Sequence, residues 1–518
     1  MSAVATAAPA ATPTIDSPAT RRRIDELLNR RPAVGMAVGV VRDGSLQLFE
    51  AHGLSDIASQ TPVTEDTVFR VASITKTFTA IAVMQLVEQG LVDLDAPANE
   101  YLRTYQLVPT QARFAPVTVR HLLTHTSGIG EELRPADVFK RLFGEVVPAG
   151  RPVPSLAEYY GGRLRVQAEP GSRFVYTDHG FATLGQIVED VSGQAFADYV
   201  RDHVFDPLGM THSDLVRSER VAGRLATGYD LTSHGPRPVK DYEVITVAAG
   251  SAYSTPRDMA RYLAALMSGG ANEHGSVLKP ETLAQMFAPQ YQPVPRGGSL
   301  GLAFSRFEIG GHAAVEHEGV LPGFNSQIFV APADRIGVMA FTNGARLAML
   351  WLPAEVSTLL GHVLGVAPAQ LRTDVPQHPE IWGDLCGWYP LDAAPTDMRL
   401  RMMVGLGVQV SARGGRLVAR VLNGIPAAWR GFPLHPDDED DPYVFRIDLS
   451  QFGIGTVRVA FSRGPAGVRA LTPEFMPLSL PKAPAGGRPL IRAGAGLAIA
   501  GAGLAAWNRR RRRKRQAE

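Results

Sequence analysis

The sequence predicts an α+β chain: an antiparallel β-sheet flanked by helices, then a small all-β domain and a C-terminal membrane helix. Three observations predict it. Two apolar runs, Val34–Arg42 and Leu46–Gly53, are separated by Asp43-Gly44, the dipeptide that favours a tight hairpin. Helical patterns then give way to strand-like runs at Gly301–Ile309, Ala313–Glu316, Ser326–Val330 and Gly337–Thr342. Beyond residue 380 the pattern changes to short alternating runs with no long helical period.

Length and composition agree with this. At about 100–200 residues per domain, 518 residues suggest two or three domains. The apolar share of 45% is enough for a sizeable core. The net charge of +2 is local in origin. Residues 509–515 carry seven cations, and without them the balance is −5, which argues against nucleic-acid binding by the folded part. The single cysteine, Cys386, excludes an intrachain disulfide framework and reads as an inert buried thiol.

Residues 1–19, rich in Ala, Pro, Thr and Ser, read as a disordered lead-in, and residues 21–31 as a short amphipathic helix. A long helix is expected from about Ser73 to Gln89, with Gly90 in the C-terminal glycine position. It is apolar nearly all round, so it belongs in the middle of a domain. A further helix opens at Thr255-Pro256-Arg257-Asp258, with a capping threonine and proline in the first turn. The main domain covers residues 20–364. Residues 365–380 form a linker, 381–478 the small β domain, and 479–489 a second linker. Expected strands of the β domain are Leu400–Val404, Val408–Ser411, Leu417–Val421, Tyr443–Ile447 and Val457–Phe461.

Chemistry concentrates at Ser73-Ile74-Thr75-Lys76. Residues three apart on a helix share a face, so the hydroxyl and the amine can touch. Serine needs a base, and a lysine in a dry site, its pKa lowered, can serve as one. A helix N-terminus adds positive potential where an oxyanion would form. The same spacing recurs at Ser276/Lys279 and Ser479/Lys482. Pro280 disfavours helix at the first of these, and Pro481 lies inside the second. Gly297-Gly298-Ser299-Leu300-Gly301 fits a nucleophile elbow in letters, but prolines precede it and a strand-like stretch follows, where the elbow needs a strand before and a helix after.

Around Ser73 the segment Phe69–Phe78 resembles the nucleophile segment of class C β-lactamases and the related penicillin-binding proteins, esterases and D-amino-acid peptidases. Three further stretches match in order. They are Val119–Gly128, with Leu122-Leu123-Thr124-His125-Thr126-Ser127-Gly128; Pro170–Asp178, with Pro170-Gly171 and Tyr176; and His317-Glu318-Gly319, followed by Pro322-Gly323-Phe324. The resemblance covers about residues 25–360. It implies a β-lactamase/transpeptidase-like fold with a mostly helical insertion between about residues 90 and 250. It also implies a serine hydrolase that forms an acyl-enzyme on Ser73, with Lys76 and Tyr176 moving the proton and no metal or organic cofactor. His317 would face the substrate, and the N–H groups of Ser73 and Val320 would form the oxyanion hole beside Gly319. His121 and His125 have helical spacing, yet no carboxylate pattern supports a metal there.

Two departures bear on the substrate. Asp178 stands where the resemblance has Asn, and an ionised carboxylate only accepts hydrogen bonds. His317 stands where another form of the motif has a lysine, and is largely neutral near pH 7. Both changes point toward esters or small amides and peptides, with weak or no β-lactam hydrolysis. An efficient β-lactamase or D-peptidase, and a non-catalytic penicillin-binding-like sensor, are the alternatives. Leu385-Cys386-Gly387-Trp388-Tyr389 resembles the first strand of the lipocalin-like domain that can follow such catalytic domains.

Residues 490–508 are Ala- and Gly-rich and end on Trp507 before the basic run 509–518, a pattern expected of a membrane helix and its cytoplasmic edge. The N-terminal stretch has neither the basic nor the apolar region of a signal peptide. The expectation is single-pass membrane association, with a cytoplasmic chain as the alternative.

Overall fold

The computed structural model describes residues 15–130, 144–294, 297–391, 401, 404–423, 426–464 and 467–484. Contacts divide the chain into two units. The first comprises residues 1–292, 299–369 and 451–455, and the second the remainder.

The first unit is built on an eight-stranded antiparallel sheet. Its order is Ser299–Leu300, Ser305–Ile309, His312–Leu321, Phe324–Ala331, Ile336–Thr342, Gly35–Arg42, Ser45–Asp56, Thr61–Pro62. Early and late sequence meet at its centre, where Met36 pairs with Thr342 and Arg42 with Ile336. The hairpin between Gly35–Arg42 and Ser45–Asp56 closes through Asp43 (φ 50°) and Gly44 (φ 88°), two positive φ values in succession. That is the mirror-image turn whose twist matches paired strands.

The central strands are covered on both faces, which is why they read as continuous apolar runs rather than alternating ones. Val38, Val40, Phe329, Val338 and Ala340 pack with the terminal helices Pro18–Arg30 and Ala348–Val363. Ala37, Val41, Ile328, Met339 and Phe341 face the larger core, which holds the helices Thr75–Glu88 and Pro256–Met267. The helix at Thr255 starts as expected, with the Thr255 hydroxyl accepting from the Asp258 N–H.

Three details differ from the sequence reading. Order reaches further upstream than expected: Ser17 caps the first helix, and Ile15 is buried. The stretch from 90 to 250 is mixed rather than mostly helical. Asp178–Ser192 is its long helix, and short helices alternate with two-stranded ribbons such as Gln106–Pro109 with Arg163–Val166. The expected helix at Ser73 begins instead as a 3-10 turn, Ala72–Ile74, before the α-helix Thr75–Glu88.

The second unit carries a four-stranded sheet (Gly387–Pro390, Gly407–Arg413, Arg416–Val421, Phe432–Pro433) and a five-stranded sheet (His435–Pro436, Val444–Asp448, Thr456–Gly464, Gly467–Pro473, Leu480–Pro481). Short helices Trp382–Leu385 and Pro426–Arg430 accompany them. Arg401 and Val404 are helical where a strand was expected. Leu480–Pro481 pairs with Gly467–Pro473, so the linker expected from 479 starts inside a sheet. Cys386 is a free, half-buried thiol rather than a fully buried one. The membrane helix expected at 490–508 and the basic tail lie outside the described residues. Among the described residues, no helix is long and apolar enough to cross a membrane.

Candidate active site

Ser73 sits in the 3-10 turn that opens the buried helix, at a tightly held bend. Ala72 has φ 52°, a left-handed value costly for a residue with a Cβ. Neighbours compensate with hydrogen bonds. The Val71 N–H donates to the Ala252 carbonyl at 2.9 Å, and the Thr75 hydroxyl donates to the Ala72 carbonyl at 2.5 Å. The Ser326 hydroxyl donates to the Val71 carbonyl at 2.7 Å. Upstream, the buried Arg70 guanidinium lies 4.5 Å from the Tyr242 ring centre and 4.6 Å from that of Tyr253, and donates to Asp241 at 3.1 Å.

Lys76 is fully buried, and its Nζ is the hub of the site. It donates to Asp178 Oδ1 at 2.6 Å, to the Ala249 carbonyl at 2.8 Å and to Ser73 Oγ at 3.1 Å. It also lies 4.9 Å from the centre of the Tyr176 ring. Burial alone would lower the lysine pKa. The Asp178 carboxylate, and then Tyr176, outweigh it and leave the value raised. The expectation of a neutral lysine base is thereby corrected: the dry site comes with its own counter-ion. Carbonyl and carboxylate oxygens can only accept, so two of the three ammonium N–H groups are committed to them.

Asp178 is the first residue of the helix Asp178–Ser192, whose N-terminal dipole favours its charge. The preceding turn presents Tyr176, and His125 stacks on it with ring centres 4.4 Å apart and planes at 27°. The Val175 N–H donates to the His125 carbonyl at 2.8 Å, tying the two segments together. His125 itself has φ 54°. His121 is engaged elsewhere: its Nδ1 accepts from the Thr118 N–H, closing a capping box.

His317 and Gly319 lie on the strand His312–Leu321, beside the nucleophile turn. Gly319 is required there. A Cβ at this position would collide with Ser326 Oγ and the Val71 carbonyl oxygen. Val320 follows on the same strand. The His317 ring is buried, and Nδ1 donates to the Glu318 carbonyl at 2.7 Å. Burial, then the Lys76 charge, pushes its pKa down to about 3, so it is neutral at ordinary pH.

The structure thus brings Ser73, Lys76, Tyr176, Asp178, His317 and Gly319 together from three separate stretches. It sets the other serines apart. Ser276 donates to the Leu278 carbonyl, and Lys279 is extended backbone before the helix Pro280–Phe287. The Lys482 ammonium is hydrogen-bonded to the Asp384 carbonyl. Ser299 lies in a short strand, where its hydroxyl accepts from Arg306 at 3.1 Å. Among the described residues no group of His, Cys, Asp and Glu could hold a metal. Sequence reasoning missed His125 as the support of Tyr176 and Ala249 as an acceptor for Lys76. Neither has a local signal, because both act through packing between distant segments.

A serine–lysine–tyrosine cluster around a buried lysine at the start of a core helix, beside an antiparallel sheet, defines a class of serine hydrolases. Comparison with known proteins agrees. The Beta-lactamase family model matches residues 20–353, and the chain belongs to that family. It is 31% identical to Esterase EstB of Burkholderia gladioli over 62% of this chain and 88% of that one. It is 26% identical to Unguisins hydrolase ungD of Aspergillus violaceofuscus over 68% of this chain, spanning 65% of that protein's length. The octameric penicillin-binding protein homologue from Pyrococcus abyssi superposes with a TM-score of 0.56 at 25% identity, covering 89% of this chain and 98% of that one.

Proposed function

We propose that this protein cleaves esters or small amides and peptides through an acyl-enzyme on Ser73, with weak or no β-lactam hydrolysis. The observation that carries the reading is the Lys76 ammonium, held between Ser73 Oγ at 3.1 Å and Asp178 at 2.6 Å with the Tyr176 ring alongside. An ammonium has no lone pair, so it cannot take the serine proton. Tyr176, as the phenolate stabilised by the cation beside it, takes it instead. Ser73 Oγ bonds to the substrate carbonyl carbon, whose oxygen is met by the N–H groups of Ser73 and Val320. Tyr176 returns the proton to the leaving alcohol or amine. Water then attacks the ester carbon and gives one proton to Tyr176; the bond between that carbon and Ser73 Oγ breaks, Tyr176 passes the proton to Ser73 Oγ, and the hydroxyl stays with the product acid.

The similarity to an esterase supports ester cleavage, and the neutral His317 weakens the attraction for a substrate carboxylate. The experiment is fluorophosphonate labelling, with turnover of a p-nitrophenyl ester panel, of the full chain, Ser73→Ala and Ser299→Ala. Loss in Ser73→Ala alone supports the reading. Loss in Ser299→Ala alone, or penicillin turnover rivalling ester turnover, refutes it. Membrane attachment through residues 490–508 belongs to the same proposal, and full-length protein remaining in the soluble fraction would contradict it.

A further inference from the structure

We propose that His317 Nε2 is a hydrogen-bond acceptor for the substrate. The site would then favour acyl compounds that place an N–H donor there, such as a terminal carboxamide, over those that place a free carboxylate. This rests on the reading of Ser73 as nucleophile and names the substrate class more narrowly.

The geometry supplies the argument. His317 is only 7% exposed, and Nδ1 stands 2.7 Å from the Glu318 carbonyl oxygen. A carbonyl only accepts, so Nδ1 carries the ring proton. A neutral imidazole has one N–H, and Nε2 is therefore left with its lone pair. Among the described residues Nε2 has no hydrogen bond, and it is not one of the fully buried atoms left without a partner, so this edge of the ring stays open to a ligand. Its direction follows from the strand. Side chains at i and i+2 share a face, and on that face Gly319 packs against Val71 and Ala72, immediately before Ser73. The charges acting on the ring are Lys76, which opposes a second proton, and Asp178, which favours one. Burial and Lys76 prevail, so the acceptor persists in neutral and mildly acidic solution. A carboxylate, itself only an acceptor, would meet a lone pair there. A carboxamide of the same shape turns an N–H toward it.

The test uses an N-acetyl dipeptide and its C-terminal carboxamide, in D and L series, as competitors of fluorophosphonate labelling of Ser73 in the full chain. The carboxamide of one series is expected to protect at a concentration at least about tenfold below that of the acid. His317→Lys should reverse the order, and His317→Gln, which can donate as well as accept, should narrow it. Equal or better protection by the acid, protection by neither, or a preference unchanged in His317→Lys would overturn the proposal. Nitrogen NMR of labelled histidine gives a second measurement that needs no variant to fold. A proton on Nδ1, a bare Nε2 near pH 7, and a shift of Nε2 on adding the carboxamide are expected, and a proton on Nε2 sinks the idea. Absence of labelling before any competitor is added would instead be a failure of the Ser73 reading.

Discussion

The Asp178 carboxylate lies 2.6 Å from the Lys76 ammonium, and 102 positions of sequence separate them. This contact sets the charge of the site. With it, Lys76 stays protonated although it is buried. Without it, burial would prevail and the positive neighbour of Tyr176 would become a neutral amine at some lower pH. Asp178→Asn should therefore move the alkaline limb of kcat/KM to lower pH, because the charge that keeps the buried ammonium protonated is gone. A pH–rate profile of ester cleavage checks it. An alkaline limb that stays in place would separate the ion pair from catalysis.

Tyr176 and Lys76 should differ from Ser73 in what their loss removes. Ser73→Ala ends covalent labelling altogether. Tyr176→Phe keeps the nucleophile but removes the group assigned to proton transfer, so kcat should fall about 10²–10⁴-fold with KM nearly unchanged. Steady-state kinetics on one ester decides this. A Tyr176→Phe enzyme within a few-fold of the parent would return the base role to another group.

His125 supports Tyr176 through a stack with ring centres 4.4 Å apart. His125→Ala should leave Ser73 open to labelling while lowering kcat about tenfold, and His125→Phe should recover most of the loss because it restores the ring. Failure of Phe to rescue would show that the imidazole acts through its nitrogens instead.

His317 gives a stability signature as well. Its folded pKa of about 3 lies below the ordinary histidine value of 6.5. The unfolded chain binds the proton first as pH falls. Stability is thus fully present above about 6.5 and is lost as pH drops toward about 3, at up to about 1.4 kcal/mol per unit. Between pH 7.5 and 5 this one group costs about 2 kcal/mol. Urea unfolding of parent and His317→Gln at both pH values isolates that share. Parallel losses in the two proteins would count against a neutral buried ring.

Much of this was legible from residues alone, and the limits are physical. The Asp43-Gly44 turn, the Thr255 cap and the all-apolar helix after Ser73 are local signals, readable because one segment decides each. The sign of the Lys76 shift was misread. Dryness is visible in an apolar helix face, whereas a counter-ion from another helix is not. The left-handed φ of Ala72 and His125 is equally silent, since neither residue type advertises it. The mostly helical insertion expected between 90 and 250 came from the resemblance and not from periodicity, because segments of five residues, such as Val119–Leu123, leave little periodicity to read.

Gly319 offers the most direct test of how sheet and nucleophile meet. A methyl group there would strike Ser326 Oγ and the carbonyl oxygen of Val71, two residues before Ser73. Gly319→Ala should force the strand His312–Leu321 away from the Ala72–Ile74 turn, at a cost of about 1–3 kcal/mol in stability. Catalysis should suffer more than folding, because displacing Val320 relative to Ser73 by even about 1 Å can cost about 10²-fold in rate. Adding Ser326→Ala removes one of the two obstacles and leaves the backbone carbonyl. The double variant should thus regain little activity, and it also loses the hydrogen bond that anchors Val71. Thermal unfolding and ester kinetics on the parent, Gly319→Ala and the double variant separate the two effects. Full activity in Gly319→Ala would mean that the strand and the nucleophile turn are not held at the close approach on which the oxyanion assignment depends.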